Sequence, residues 1–215
     1  MNLKSFGCSF IFGTDLPDDG REGKYATPSK LTWSSLLANH YGYGYHCYAR
    51  PGSGNVQIME RALSQIACNE YALYVIGWSY VDRFDYMSAT STEWKTILPI
   101  ERNELASTYY RNLHSEFKDK LTTLVSIKVV IDTLKQKGYP FIMTYMDDLM
   151  FDDQWNSSPA ITDIQNYIKP YMTTFEGSNF VRWSKEKGYP ISDTSHPLEE
   201  AHRSAADYIL SLNLV

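Results

Sequence analysis

The chain has 215 residues, 43% of them hydrophobic and 21% charged, a balance that suits a soluble chain with a buried core in a single domain spanning 1–215. A net charge of −5 without a basic run excludes the electrostatic footprint of a nucleic-acid binder and of a protein drawn to anionic membranes. Three scattered cysteines, Cys8, Cys47 and Cys68, argue for free thiols in a reducing compartment and against a disulfide framework or a thiolate metal site. No apolar run approaches the roughly 20 residues of a membrane span, and no signal-peptide cleavage pattern follows the first residues, so a cytoplasmic location is expected.

Leu3 to Phe6 reads as a short first strand that runs into Gly7. Residues 14 to 30, rich in Asp, Gly, Pro and Lys, read as a loop. Trp33, Leu36 and Leu37 recur at helical spacing over 32–40, with Gly42 just past the end. A second strand is expected over 45–49, stopped by Pro51-Gly52, and then a helix through Val56, Met59, Leu63 and Ile66. Tyr71 to Ile76 is an apolar run ended by Gly77, the pattern of a buried parallel strand. Residues 80–102 fit no period and are read as a lid or insertion. A long helix is expected from Asn103 through Leu134, capped by Gly138 and stopped by Pro140. A further strand follows over 141–145. The stretch 147–169 starts irregular and acidic and turns helical after Pro159. A last helix begins near Pro197, with Glu199 and Glu200 against its positive end.

Strands alternating with helices predict an α/β protein with three α/β/α layers around a mostly parallel sheet of about five strands. In such a fold, function gathers at the carboxyl ends of the strands. Ser9, Gly52, Gly77 to Ser79 and Met146 to Asp148 all fall just after a predicted strand. Ser9 with Asp193 and His196 supplies the parts of a nucleophile, orienter and base. The Asp and His lie three residues apart, so one turn of chain lets the carboxylate reach the imidazole Nδ1.

Four blocks in order, Gly7-Cys8-Ser9, Arg50-Pro51-Gly52, Gly77-Trp78-Ser79 and Asp193-Thr194-Ser195-His196, resemble those of the SGNH (GDSL-type) hydrolases over essentially the whole chain. The Gly-Trp-Ser form with nearby Arg83 also looks like versions carried by marine tailed phages, which would make a virion-associated location an alternative. The resemblance implies a flavodoxin-like SGNH fold and a serine esterase. Ser9 would be the nucleophile, His196 the general base and Asp193 its orienter. The backbone N–H groups of Ser9 and Gly52, with Ser79 in place of the family's Asn, would form the oxyanion hole. The substrate would be a small-molecule or glycan ester, such as a carboxylester or a sugar O-acetyl group, with neither cofactor nor metal. Cys8 stands where the family has Asp, and Arg83 is a candidate to compensate for the shorter donor at Ser79.

Competing readings of the same residues remain open. A non-catalytic binding or virion-associated module with this fold is favoured by Cys8 and Ser79. A metal-dependent hydrolase would use Asp147, Asp148, Asp152 and Asp153, although these lack the regular oxygen-ligand spacing of a calcium loop and suit a solvated loop better. His40, His46, His114 and His202 read as structural, and Cys8 as a small buried hydrophobe.

Overall fold

A computed structural model describes residues 1–20 and 27–214, so the middle of the 14–30 loop lies outside the described residues. The elements run β1 (Asn2–Phe6), α1 (Ser9–Phe12), α2 (Trp33–Tyr41), β2 (Gly44–Cys47), α3 (Asn55–Ala67), β3 (Ala72–Trp78), β4 (Phe84–Met87), β5 (Trp94–Ile97), α4 (Glu104–Asn112), α5 (Glu116–Lys137), β6 (Phe141–Tyr145), α6 (Pro159–Ile168), α7 (Phe180–Glu186) and α8 (Glu199–Ser211). Among the described residues the main sheet has the order β2-β1-β3-β6, and every pairing in it is parallel. A single parallel bridge between Met143 and Met172 extends the β6 edge where a fifth strand would lie.

Because side chains alternate across a strand, β3 feeds both sides of the sheet. Leu73 and Val75 pack with Ile11, Trp33, Leu37, Phe180 and Ile209 beneath α2, α7 and α8. Tyr74 and Ile76 pack on the other face with Ile58, Ile66, Ile127, Ile131 and Ile161 from α3, α5 and α6. All seven residues of β3 are buried, as its unbroken apolar run requires. The result is the three-layer α/β arrangement expected from the sequence.

Two differences concern the segment between β3 and β6. Residues 80–102 hold an antiparallel β4–β5 hairpin, whose Phe84, Tyr86 and Ile97 pack against Ala106 and Tyr109 of α4. The helix expected over 103–134 is two helices. Asn103 caps α4 through the Ala106 N–H, and Ser115 opens α5 by accepting from the Lys118 N–H. No helix among the described residues is long and apolar enough to cross a membrane.

Candidate active site

The first strand ends at Gly7, where the chain turns sharply into the single-turn helix α1. A Cβ on Gly7 would lie 2.6 Å from Ile11 Cγ1 and 2.9 Å from the Gly77 carbonyl oxygen, so only glycine permits this turn. The turn puts Cys8 in the core, 1% exposed, and Ser9 at the helix start, 6% exposed. The buried thiol matches the reading of Cys8 as a small hydrophobe. Cys8 caps α1 with no side-chain bond, and the Ser9 and Phe10 N–H groups donate to no described residue. The Ser9 carbonyl accepts the N–H groups of Gly13 (2.8 Å) and Thr14 (3.0 Å), fixing the next turn against the serine.

That turn carries Asp15, which lies in the left-handed region at φ 71°. Its Oδ2 meets His196 Nδ1 at 2.7 Å, and both side chains are largely buried. The same carboxylate oxygen accepts the Ser192 hydroxyl (2.7 Å) and the Thr194 hydroxyl. An imidazole facing a carboxylate through Nδ1 carries its proton there, leaving Nε2 as the basic nitrogen. Phe10 packs against the ring with centroids 5.0 Å apart, tying His196 to the residue after Ser9. No hydrogen bond joins Ser9 Oγ to His196, whose Nδ1 meets Asp15 and Thr194.

Asp193, expected as the orienter, is exposed and bonds to no described residue. The reason is local. Ser195 N–H bonds to the Ser192 carbonyl and Ser192 N–H to the His196 carbonyl, which closes a tight loop with Ser195 at φ 69°. Ser192 and Thr194 line its inner side through their bonds to Asp15, and Asp193 is left at the tip. Sequence reasoning missed Asp15 because it sits 181 positions from the histidine with no spacing to suggest contact.

Gly52 lies in a turn at φ 80°, and its N–H donates to no described residue. Gly54 N–H, two residues on, is taken by Asp85 Oδ1 at 3.0 Å. The third expected donor is placed differently. Ser79 is fully buried; its N–H donates to Asn55 Oδ1 (2.7 Å), and its hydroxyl has no partner. Asn55 Nδ2 reaches back to the Ser79 and Tyr80 carbonyls at 3.2 and 3.3 Å, fastening the start of α3 to the end of β3. A hydroxyl enclosed in this way contacts no ligand unless the loop moves.

Arg83 donates through Nη1 to the Ser53 carbonyl (3.0 Å), and its guanidinium carbon lies 5.0 Å from the centre of the Tyr80 ring. Burial holds the Tyr80 phenol above its ordinary pKa.

The acidic stretch after β6 is committed to protein partners. Asp147 accepts the Val81 and Leu149 N–H groups at 2.9 and 3.1 Å, and burial raises its carboxyl pKa. Asp148 pairs with Arg182, Asp152 with Lys120, and Asp153 with Asn156. Among the described residues no three His, Cys, Asp or Glu side chains are grouped to hold a metal ion. His202 is buried, and its Nδ1 accepts the Trp33 N–H at 3.1 Å, a structural role.

No protein-family model matches the sequence, and no curated protein is detectably similar to it. The fold, by contrast, is shared with solved esterases. The psychrotrophic esterase EstA from Pseudoalteromonas sp. matches with a TM-score of 0.55 at 10% identity, over 98% of this chain and 94% of that one. A member of the lipolytic G-D-S-L family from Veillonella parvula gives 0.50 at 10% identity, over 99% and 97%. A family two carbohydrate esterase from Clostridium thermocellum gives 0.53 at 13% identity, over all of this chain and 64% of that one. At such identities the likeness establishes architecture. The chain has the α/β fold of the SGNH, or G-D-S-L, esterases.

Proposed function

We propose that this protein hydrolyses an ester through an acyl-serine formed on Ser9, with His196 as general base and Asp15, in place of Asp193, as the orienting carboxylate. The observation that carries the reading is the 2.7 Å contact between Asp15 and His196 Nδ1, beside the turn that presents Ser9. The structures named above as sharing the fold are esterases or a lipolytic protein, which supports ester cleavage as the reaction.

In this mechanism Ser9 Oγ attacks the ester carbonyl while His196 Nε2 takes the hydroxyl proton. The imidazolium that forms is stabilised by the Asp15 carboxylate. The unbonded N–H groups of Ser9 and Gly52 receive the negative oxygen of the tetrahedral intermediate. His196 then returns the proton to the leaving alcohol, and water, activated by the same nitrogen, releases the acid. Ser79 stays outside this set, because its hydroxyl is enclosed and its N–H is held by Asn55. The substrate class is a carboxylester or a sugar O-acetyl group.

Labelling with a small fluorophosphonate tests this without a known substrate. The modified peptide should carry Ser9, and the label should vanish in Ser9→Ala and fade in His196→Ala. Folded protein that takes no label at Ser9 would return the chain to the reading of a binding module with this fold.

A further inference from the structure

Two exposed arginines are held by carboxylates. Arg182 pairs with Asp148 and Glu186, and Arg203 with Glu199. Arg61 donates to the Ser53 hydroxyl and to Gln57. Arg83 differs. It is half-buried, makes one hydrogen bond to a neutral carbonyl, and has no carboxylate within 4 Å among the described residues. Withdrawing a guanidinium from water without an anionic partner is unfavourable, and its planar fork leaves donors suited to a carboxylate.

The surroundings give those donors a destination. Arg83 lines a hollow of about 280 Å³ with Tyr80, Asp82, Leu98, Pro99 and Ile100, four of which present apolar surface. Tyr80 lies between this hollow and the histidine: its ring is 6.4 Å from Phe10, which in turn is 5.0 Å from His196. Guanidinium and imidazole are thus linked by a run of ring contacts through Tyr80 and Phe10. The bond to Ser53 also holds Arg83 against the loop that carries Gly52.

We propose that Arg83 is a specificity-determining residue that pairs with a carboxylate carried by the ester, while the apolar part of the substrate rests on Tyr80, Leu98, Pro99 and Ile100. This rests on the ester-hydrolysis reading and narrows it to esters that also carry an anionic group. Asp82 opposes such an anion from the same hollow. Burial and the nearby Asp147 raise its carboxyl pKa, so part of that opposition is relieved as pH falls.

The test compares 4-acetoxybenzoate with its uncharged methyl ester, taking the ratio of their kcat/KM values in each protein so that intrinsic reactivity cancels. Arg83→Gln should lower the ratio at least tenfold, chiefly through KM for the anion. Arg83→Lys should keep part of it, and Asp82→Asn should raise it. Hydrolysis of both esters with an unchanged ratio in Arg83→Gln would overturn the role of Arg83 and leave ester hydrolysis standing. If neither ester is cleaved and no fluorophosphonate label appears, the hydrolysis reading fails. Titration of 4-acetoxybenzoate into wild type and Arg83→Gln, followed by NMR, then decides the recognition separately. Saturable binding lost in the variant supports it, and absence of binding in wild type overturns it.

Discussion

Asp15 and His196 meet at 2.7 Å across 181 positions of sequence, while Asp193, three residues before the histidine, faces solvent. Of the two carboxylates, the one brought by the tertiary contact is the one that reaches the imidazole. The positioning depends on the chain leaving Ser9: the Ser9 carbonyl holds the next turn, and that turn delivers the carboxylate.

Exchanging the two carboxylates for amides separates the assignments. Asp15→Asn keeps the shape but removes the charge that stabilises the imidazolium and fixes its tautomer, so kcat on an acetyl ester should fall by about 1,000-fold or more. Asp193→Asn alters an exposed loop tip and should stay within about twofold, with stability changed by less than about 0.5 kcal/mol. The reverse pattern would mean that the 192–196 loop refolds around the substrate and that Asp193 is the orienter after all.

The two carboxylates also mark how far the sequence could be read. Strand and helix order was legible because apolar runs and three-to-four spacing report burial directly, as in β3 and α3. Ser9 and Gly52 stood out because turns after strands have local signatures, and His196 stood out through the Asp-x-x-His block. The single long helix over 103–134 was misjudged because Leu105 and Leu113, which sustain its apolar period, are 52% and 70% exposed. The capping hydroxyl of Ser115 outweighed that period. Asp15 and Asp85 were invisible because each acts on an element distant in sequence, and single-sequence patterns carry no information about such contacts.

Asp85 shows the same principle in a structural role. Gly54 stands at the cap position of helix α3 with no side chain to cap it, and the hairpin supplies the cap from β4. Asp85 accepts the Gly54 and Gln57 N–H groups at 3.0 and 2.9 Å and the Thr96 hydroxyl at 2.6 Å. A Cβ on Gly54 would lie 2.6 Å from this carboxylate, so the close approach requires glycine. Asp85→Ala strands three donors at a half-buried site and should lower unfolding stability by about 1–3 kcal/mol, read from urea denaturation. Stability within about 0.3 kcal/mol of wild type would show that water replaces the carboxylate fully.

His202 gives stability a pH dependence whose sign is fixed by its burial. Desolvation, with a smaller contribution from His196, lowers its pKa to about 3, against about 6.5 for an unfolded histidine. Between those values the unfolded chain binds a proton that the native protein refuses. The stabilisation is therefore complete above pH 6.5 and is lost progressively as pH falls towards 3. Asp82, Asp85 and Asp147 act in the opposite sense, because burial raises their carboxyl pKa and the native state holds protons longer than the unfolded one. Comparison with His202→Gln, which can still accept the Trp33 N–H, isolates the histidine. The stability of wild type relative to the variant should fall by about 2 kcal/mol between pH 7 and pH 5 in urea unfolding. A difference that stays flat across that range would mean that His202 is charged inside the fold.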